Sequence, residues 1–124
     1  MSEYLCHIWL GLFGPDAPER YFVQEYVDDS TPQSQFGAEQ EQRYFDYDFV
    51  EISFPNDPLP VHELVDGHSY SDSYLKTVVQ VATELGITEA NVFVLANKDQ
   101  FDAPRSAEGP GYKLWYLGEY VCQE

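Results

Sequence analysis

Three groups of side chains in this 124-residue chain have residue types and spacings that could do chemistry. His62 and His68, with Asp66 between them and Asp72 after, are types that bind metals. A metal site needs ligands that project toward one point, and His-x5-His across a loop containing Gly67 does not supply that by spacing. Surface histidines near the start of a helix are the plainer reading. Cys6 and His7 suggest a thiol–imidazole pair. Neighbours on a strand point to opposite faces, so these two side chains do not meet, and His7 is expected in the core or in strand pairing. Asp46, Asp48 and Glu51 form the third group. Asp46 and Asp48 would share one strand face, where paired carboxylates can bind a divalent cation or act as acid and base. No Gly-bearing Asp-x-Asp-x-Asp loop surrounds them. The chain also has no Gly-rich phosphate loop, no Gly-x-Ser-x-Gly turn and no Cys-x-x-Cys pair.

Three readings stay open for the acidic group. The first is a solvated strand edge. The second is a small metal-dependent hydrolase using Asp46, Asp48 and a histidine. The third is an interface, because the acids are interleaved with Tyr44, Phe45, Tyr47 and Phe49. Such a surface imitates nucleic-acid phosphates, with rigid aromatic area between the charges, and aromatic residues are favoured where proteins meet.

The elements that must position these groups are legible from periodicity. His7-Ile8-Trp9-Leu10-Gly11-Leu12-Phe13 carries apolar residues on both faces, with Ile8, Leu10 and Leu12 opposite His7, Trp9, Gly11 and Phe13. That predicts a central strand covered on both sides. Gly11 is expected where another backbone passes close. Asp16 can cap a helix with Glu19 as its third residue, and Phe22/Tyr26 and Val23/Val27 repeat at i, i+4. Asp28 and Asp29 would then stand at the helix carboxyl end, against its dipole. Residues 33–42 read as a short exposed helix around Phe36, and Val50, Ile52 and Phe54 as the inward side of a half-buried edge strand stopped by Pro55. Residues 61–65 make one helical turn. Tyr74, Leu75, Val78, Val79, Ala82 and Leu85 make the apolar face of the clearest helix, capped by Ser71 or Asp72 and closed by Gly86. Residues 92–96 read as a second central strand, 98–111 as a loop, and 112–122 as a last strand interrupted by Gly118. The order predicts an α+β domain spanning residues 1–124: about four mostly antiparallel strands with two main helices packed mainly on one face.

Charge narrows the function. Six Lys and Arg stand against 22 Asp and Glu, for a formal charge of −16. Fourteen of those carboxylates and only two arginines lie between Asp16 and Asp72, a net of −12. Self-repulsion of that size is tolerated for solubility or kept for a cationic partner. It argues against binding nucleic acid or an anionic membrane. No apolar run approaches a membrane span, and Met1-Ser2-Glu3 lacks the basic start of a secretory signal, so a cytoplasmic protein is expected. Cys6 and Cys122 are expected reduced and buried, with a bridge between terminal strands as the alternative.

Several segments together resemble the immunity protein 22 family, small proteins that neutralise toxins delivered between competing bacteria. The likeness is carried by His7-Ile8-Trp9-Leu10-Gly11-Leu12-Phe13, residues 19–26, 32–36 and 44–54, Gly67-His68-Ser69-Tyr70-Ser71-Asp72-Ser73-Tyr74, residues 92–97 and residues 111–118. It departs at His68, where an aromatic is expected, and in residues 98–110. The resemblance implies an α+β fold, no catalysis, no cofactor, and one cognate toxin as partner, commonly a nuclease. It does not identify contact residues. On physical grounds the expected toxin-binding residues are Asp28, Asp29, Tyr44, Asp46, Tyr47, Asp48 and Glu51, which would occlude a basic active-site or substrate cleft. A DNA-mimic regulator of another nucleic-acid-binding protein has the same physics. The free protein is expected to be a monomer or a weak homodimer paired through an edge strand.

Overall fold

The computed structural model of the protein describes residues 3–23, 25–26, 32–42, 50–55, 57–68 and 71–123. Its centre is the predicted strand, longer than expected: β1, Glu3–Phe13. β1 pairs antiparallel with β7, Val92–Asn97, on one side and with β9, Tyr112–Gln123, on the other. β4, Val50–Ser53, forms one edge on β7, and β8, Ala107–Gly109, forms the other on β9. The sheet is five-stranded and antiparallel in the order β4-β7-β1-β9-β8. Two small ribbons accompany it: β2, Glu25–Tyr26, with β3, Pro32–Gln33, and β5, Leu59–Pro60, with β6, Glu89–Ala90. The helices are α1, Gln35–Glu39, α2, Val61–Val65, and α3, Ser71–Glu84. Among the described residues no helix is long and apolar enough to cross a membrane.

The period-two alternation of β1 divides the core. Cys6, Ile8 and Leu10 pack with Val61, Leu64 and Val65 of α2 and Tyr74, Val78 and Ala82 of α3. Trp9 and Phe13 face the opposite way, into Tyr21, Phe36, Phe101, Tyr112 and Leu114. The short α2 and the long α3 thus cover one face. Aromatic side chains from α1, β9 and the irregular segments cover the other. Gly11 lies on this aromatic face. A Cβ there would stand 2.9 Å from Phe13 Cε1 and 3.0 Å from Val92 Cβ, so side chains of the strand and its neighbour crowd it, and not a passing backbone.

β9 serves both faces through a bulge. Ile8 pairs with Gly118 but Trp9 with Tyr116, leaving Leu117 extra, and Gly118 takes φ +109°. The extra residue reverses the alternation. Tyr112 and Leu114 therefore reach the aromatic side, while Tyr120 and Cys122, at the same parity, reach the helix side. Cys6 and Cys122 are both buried free thiols in that helix-side core. Their shared hydrogen bond, with burial, pushes the Cys6 thiol up, keeping it protonated.

α3 ends as its sequence says. Gly86 takes φ +78°, Ile87 N–H donates to Ala82 C=O at 2.8 Å, and Gly86 N–H donates to Thr83 C=O at 3.1 Å. This pair of bonds is the Schellman closure.

Three expectations are corrected. The helix expected from Asp16 is not formed: residues 15–22 make turns, with Ala17 N–H on Gly14 C=O and Val23 N–H on Arg20 C=O, and residues 25–26 are in β2. Aromatic and β-branched residues suit a pleated surface as well as a helix stripe. Packing decides: Tyr21 is buried, and Phe22 lies on Phe13 and Phe36, at 6.1 and 5.2 Å between ring centres. The dipole argument for Asp28 and Asp29 falls with that helix. α1 is shorter than expected and not exposed, since Phe36, Gly37 and Gln40 are buried. Finally, the loop after β7 carries a fifth strand. Gly109-Pro110-Gly111-Tyr112 turns back on itself, with Gly109 paired to Tyr112 and Gly111 at φ +80°. Proline followed by a positive-φ glycine is the sequence of a type II turn, a signal present in the chain.

Candidate functional site

Of the residues expected to meet a partner, Asp28, Asp29, Tyr44, Asp46, Tyr47 and Asp48 lie outside the described residues. Glu51 is described. It sits on the edge strand β4 opposite Leu95 of β7, so its side chain lies on the helix face while Val50 and Ile52 pack toward the aromatic face. Phe54, expected to point inward with them, is exposed. Glu51 does not stand free in water. Its Oε1 is 3.3 Å from His68 Nδ1, with the imidazole the more buried of the two. The His68 ring lies on Phe93 with centres 4.5 Å apart and planes 32° from parallel, and Phe93 in turn stacks on Tyr74 at 6.3 Å. His68 therefore fills the position of an aromatic ring, which is why a histidine is tolerated where one was expected. β4 contributes the carboxylate, the turn after α2 the imidazole, and α3 the supporting tyrosine.

His62, by contrast, is exposed on α2 and does not join this group. Among the described residues no three His, Cys, Asp or Glu side chains converge where a metal ion could be held.

His7 lies on the aromatic face and Cys6 on the other, as alternation required. His7 Nδ1 is 2.8 Å from Tyr116 Oη, and Nε2 is buried with no hydrogen-bond partner among the described residues. Trp9 and Tyr116 enclose the ring, while Glu119 and Lys98, an ion pair at 3.6 Å, lie nearby. Burial holds the His7 pKa below its ordinary 6.5, against the opposing pull of Glu119. The unfolded chain therefore binds the proton first, and the stability that neutral His7 confers is complete above about pH 6.5 and falls as pH drops toward the folded value. Replacing His7 by Phe is expected to flatten the loss of urea stability between pH 7.5 and pH 5. Equal slopes for the two proteins would show that burial does not govern this histidine.

Sequence reasoning missed a second constellation on the aromatic face. Glu39 of α1 accepts hydrogen bonds from Tyr21 Oη, at 2.5 Å, and from Tyr112 Oη, and Gln35 Nε2 donates to the same carboxylate at 3.2 Å. Burial first and then the Glu39 carboxylate push Tyr112 up to about 12 and Tyr21 further. Both hydroxyls stay protonated and donate, so this is a clamp joining α1 to the sheet. Its members are far apart in sequence, and no spacing announces them.

Three of the described bases are engaged within the protein. Arg105 Nη2 lies 3.0 Å from a Glu41 carboxylate oxygen, Lys98 sits by Glu119, and Lys113 Nζ lies 5.5 Å over the Trp115 ring. Exposed carboxylates occur on both sides of the sheet, with Glu63, Asp66, Asp72 and Glu84 on α2, the turn after it and α3, and Asp16, Glu19 and Asp102 on the aromatic-side segments. The acid-rich residues 43–49 are outside the described part.

No curated protein and no solved structure gave a match. A family model described as Immunity protein 22 matches residues 6–122, nearly the whole chain. Its span takes in most of the central strand, the bulged last strand as far as its buried Cys122, and everything between, and the chain belongs to the immunity protein 22 family.

Proposed function

We propose that the protein neutralises a cognate bacterial toxin, a nuclease, by binding across its basic active-site or substrate cleft without a catalytic step of its own. The reading is carried by charge: 22 carboxylates against six Lys and Arg in a member of a family described as immunity proteins. A nuclease must attract a polyanion, so its cleft gathers Lys and Arg. A protein of charge −16, with three of its described bases held against its own carboxylates or a ring, presents that cleft with a competing anion. Complementary fields raise association rates by roughly 10–10³-fold and make them fall steeply with salt. Asp28, Asp29, Asp46, Asp48 and Glu51 pair with the toxin's cations, while Tyr44 and Tyr47 exclude water between them. Inhibition is stoichiometric occlusion in the cytoplasm of the producing cell.

Asp46→Lys with Asp48→Lys is expected to slow association with the cognate toxin by about tenfold or more and to flatten its salt dependence. The circular dichroism spectrum should not change. Stopped-flow binding at two salt concentrations reads both quantities, and an unchanged rate with an unchanged salt slope would remove this surface from the interface.

A further inference from the structure

At one end of the sheet, where β1 leaves Phe13 for the Gly14-Pro15 turn, the surface opens into a cleft of about 490 Å³. Its walls include Leu12, Pro15, Phe54, Pro58 and Asp57, and among the described residues no Lys or Arg lines it. Leu12 is 38 % and Phe54 48 % exposed, in a chain that otherwise buries most of its large apolar side chains. Phe54 is fixed, because its ring meets Phe13 at 5.5 Å and Phe22 at 6.3 Å, both edge-to-face. The floor is fixed too. The buried Asn91 amide holds both backbone groups of Phe13, and Gly14 N–H donates to Gly111 C=O at 2.8 Å. Asp57 is exposed on the wall, and Asp16 and Glu19 are exposed on the turn that starts at Pro15.

An apolar trough with a carboxylate on its wall is complementary to a side chain that has an aliphatic stem and a cationic head. We infer that this cleft receives a basic side chain of the cognate toxin, its stem against Leu12, Phe54 and Pro58 and its charge at Asp57. The inference rests on the toxin-binding reading above and adds a contact that the acidic-aromatic stretch does not contain. The fixed ring is suited to an anchor, because little freedom is lost when it is covered. Its neighbouring acids bring the cation to it.

The test uses the full chain and, as the candidate toxin, the purified product of the neighbouring upstream gene. Phe54→Ser is expected to raise Kd at least about tenfold through faster dissociation, the size of an interface anchor. Asp57→Lys should raise it about as much, through slower association at low salt. Asp57→Asn, at an exposed position that cannot unfold the protein, should lie between. Leu85→Ser, which removes an equally exposed apolar side chain beyond α3, should bind as wild type. If the wild type binds and Phe54→Ser, Asp57→Lys and Asp57→Asn bind equally well, the cleft is not the contact while toxin binding stands. Equal loss in Leu85→Ser would reduce the effect to general surface hydrophobicity and overturn the inference. A wild type that does not bind removes both this inference and the function it rests on.

Discussion

Trp9→Ala is expected to lower the unfolding free energy by about 3–5 kcal/mol, the range for deleting a large buried aromatic. Trp9 is fully buried on the central strand β1. Its indole meets Phe36 at 5.3 Å and Phe101 at 5.2 Å, both edge-to-face, and Tyr116 at 5.3 Å. Its Nε1 donates to Arg105 C=O at 3.1 Å. The rings around it come from α1, the segment after β7, and β9. A cavity there loosens three separate parts of the aromatic face at once. Domains of this size are stable by only about 5–15 kcal/mol, so the change takes a large share. Trp9→Phe keeps ring contacts and loses one hydrogen bond, which Gln40 Nε2 still supplies to the same Arg105 carbonyl at 2.8 Å. It should cost well under half as much. Urea unfolding followed by circular dichroism gives both values, and a loss below about 1 kcal/mol for Trp9→Ala would contradict the packing described.

Asn91→Ala is expected to cost about 2–5 kcal/mol, although it removes only a small side chain. Asn91 is buried, and its amide makes two bonds to one residue: Phe13 N–H donates to Oδ1 at 2.8 Å, and Nδ2 donates to Phe13 C=O at 2.7 Å. The amide takes over the pairing that β1 would otherwise lose where it leaves the sheet. Alanine leaves a buried donor and a buried acceptor with neither protein partner. Each orphaned group costs about 1–3 kcal/mol. Asn91→Asp keeps the acceptor but sets a carboxylate against the Phe13 carbonyl. It should be as damaging at neutral pH and recover partly in acid, where the protonated carboxyl can donate. Chemical denaturation of the two variants at pH 7 and pH 5 separates these contributions. An Asn91→Ala protein as stable as wild type would mean that these bonds have little net value. The Gln40 side chain repeats the device, accepting from Arg105 N–H at 2.6 Å while donating to its carbonyl, and so ties the segment after β7 to α1.

Periodicity found the elements whose burial is one-sided or complete. β1 and β7 show as uncharged runs, and α3 shows as a stripe at 3.6 spacing with a glycine that must turn left-handed to end it. These are local signals, since side-chain direction follows from the backbone of the same few residues. The 15–26 stretch misled because a helix stripe and a set of aromatics packed from turns can share one spacing. The fold class and the acidic balance were therefore legible, but the helix expected from Asp16 was not there to be found.

Residue types and order by themselves determined the central strand, the main helix and the net charge; each is a sum or a repeat along neighbouring positions. The tertiary structure decided what Glu51 and His68 do, which carboxylate Tyr21 and Tyr112 share, why β9 changes face at Leu117, and that Leu12, Phe54 and Asp57 border one cleft. Those relations join residues tens of positions apart, and hydrogen bonds and ring contacts act only over a few ångströms, so nothing in local spacing can encode them.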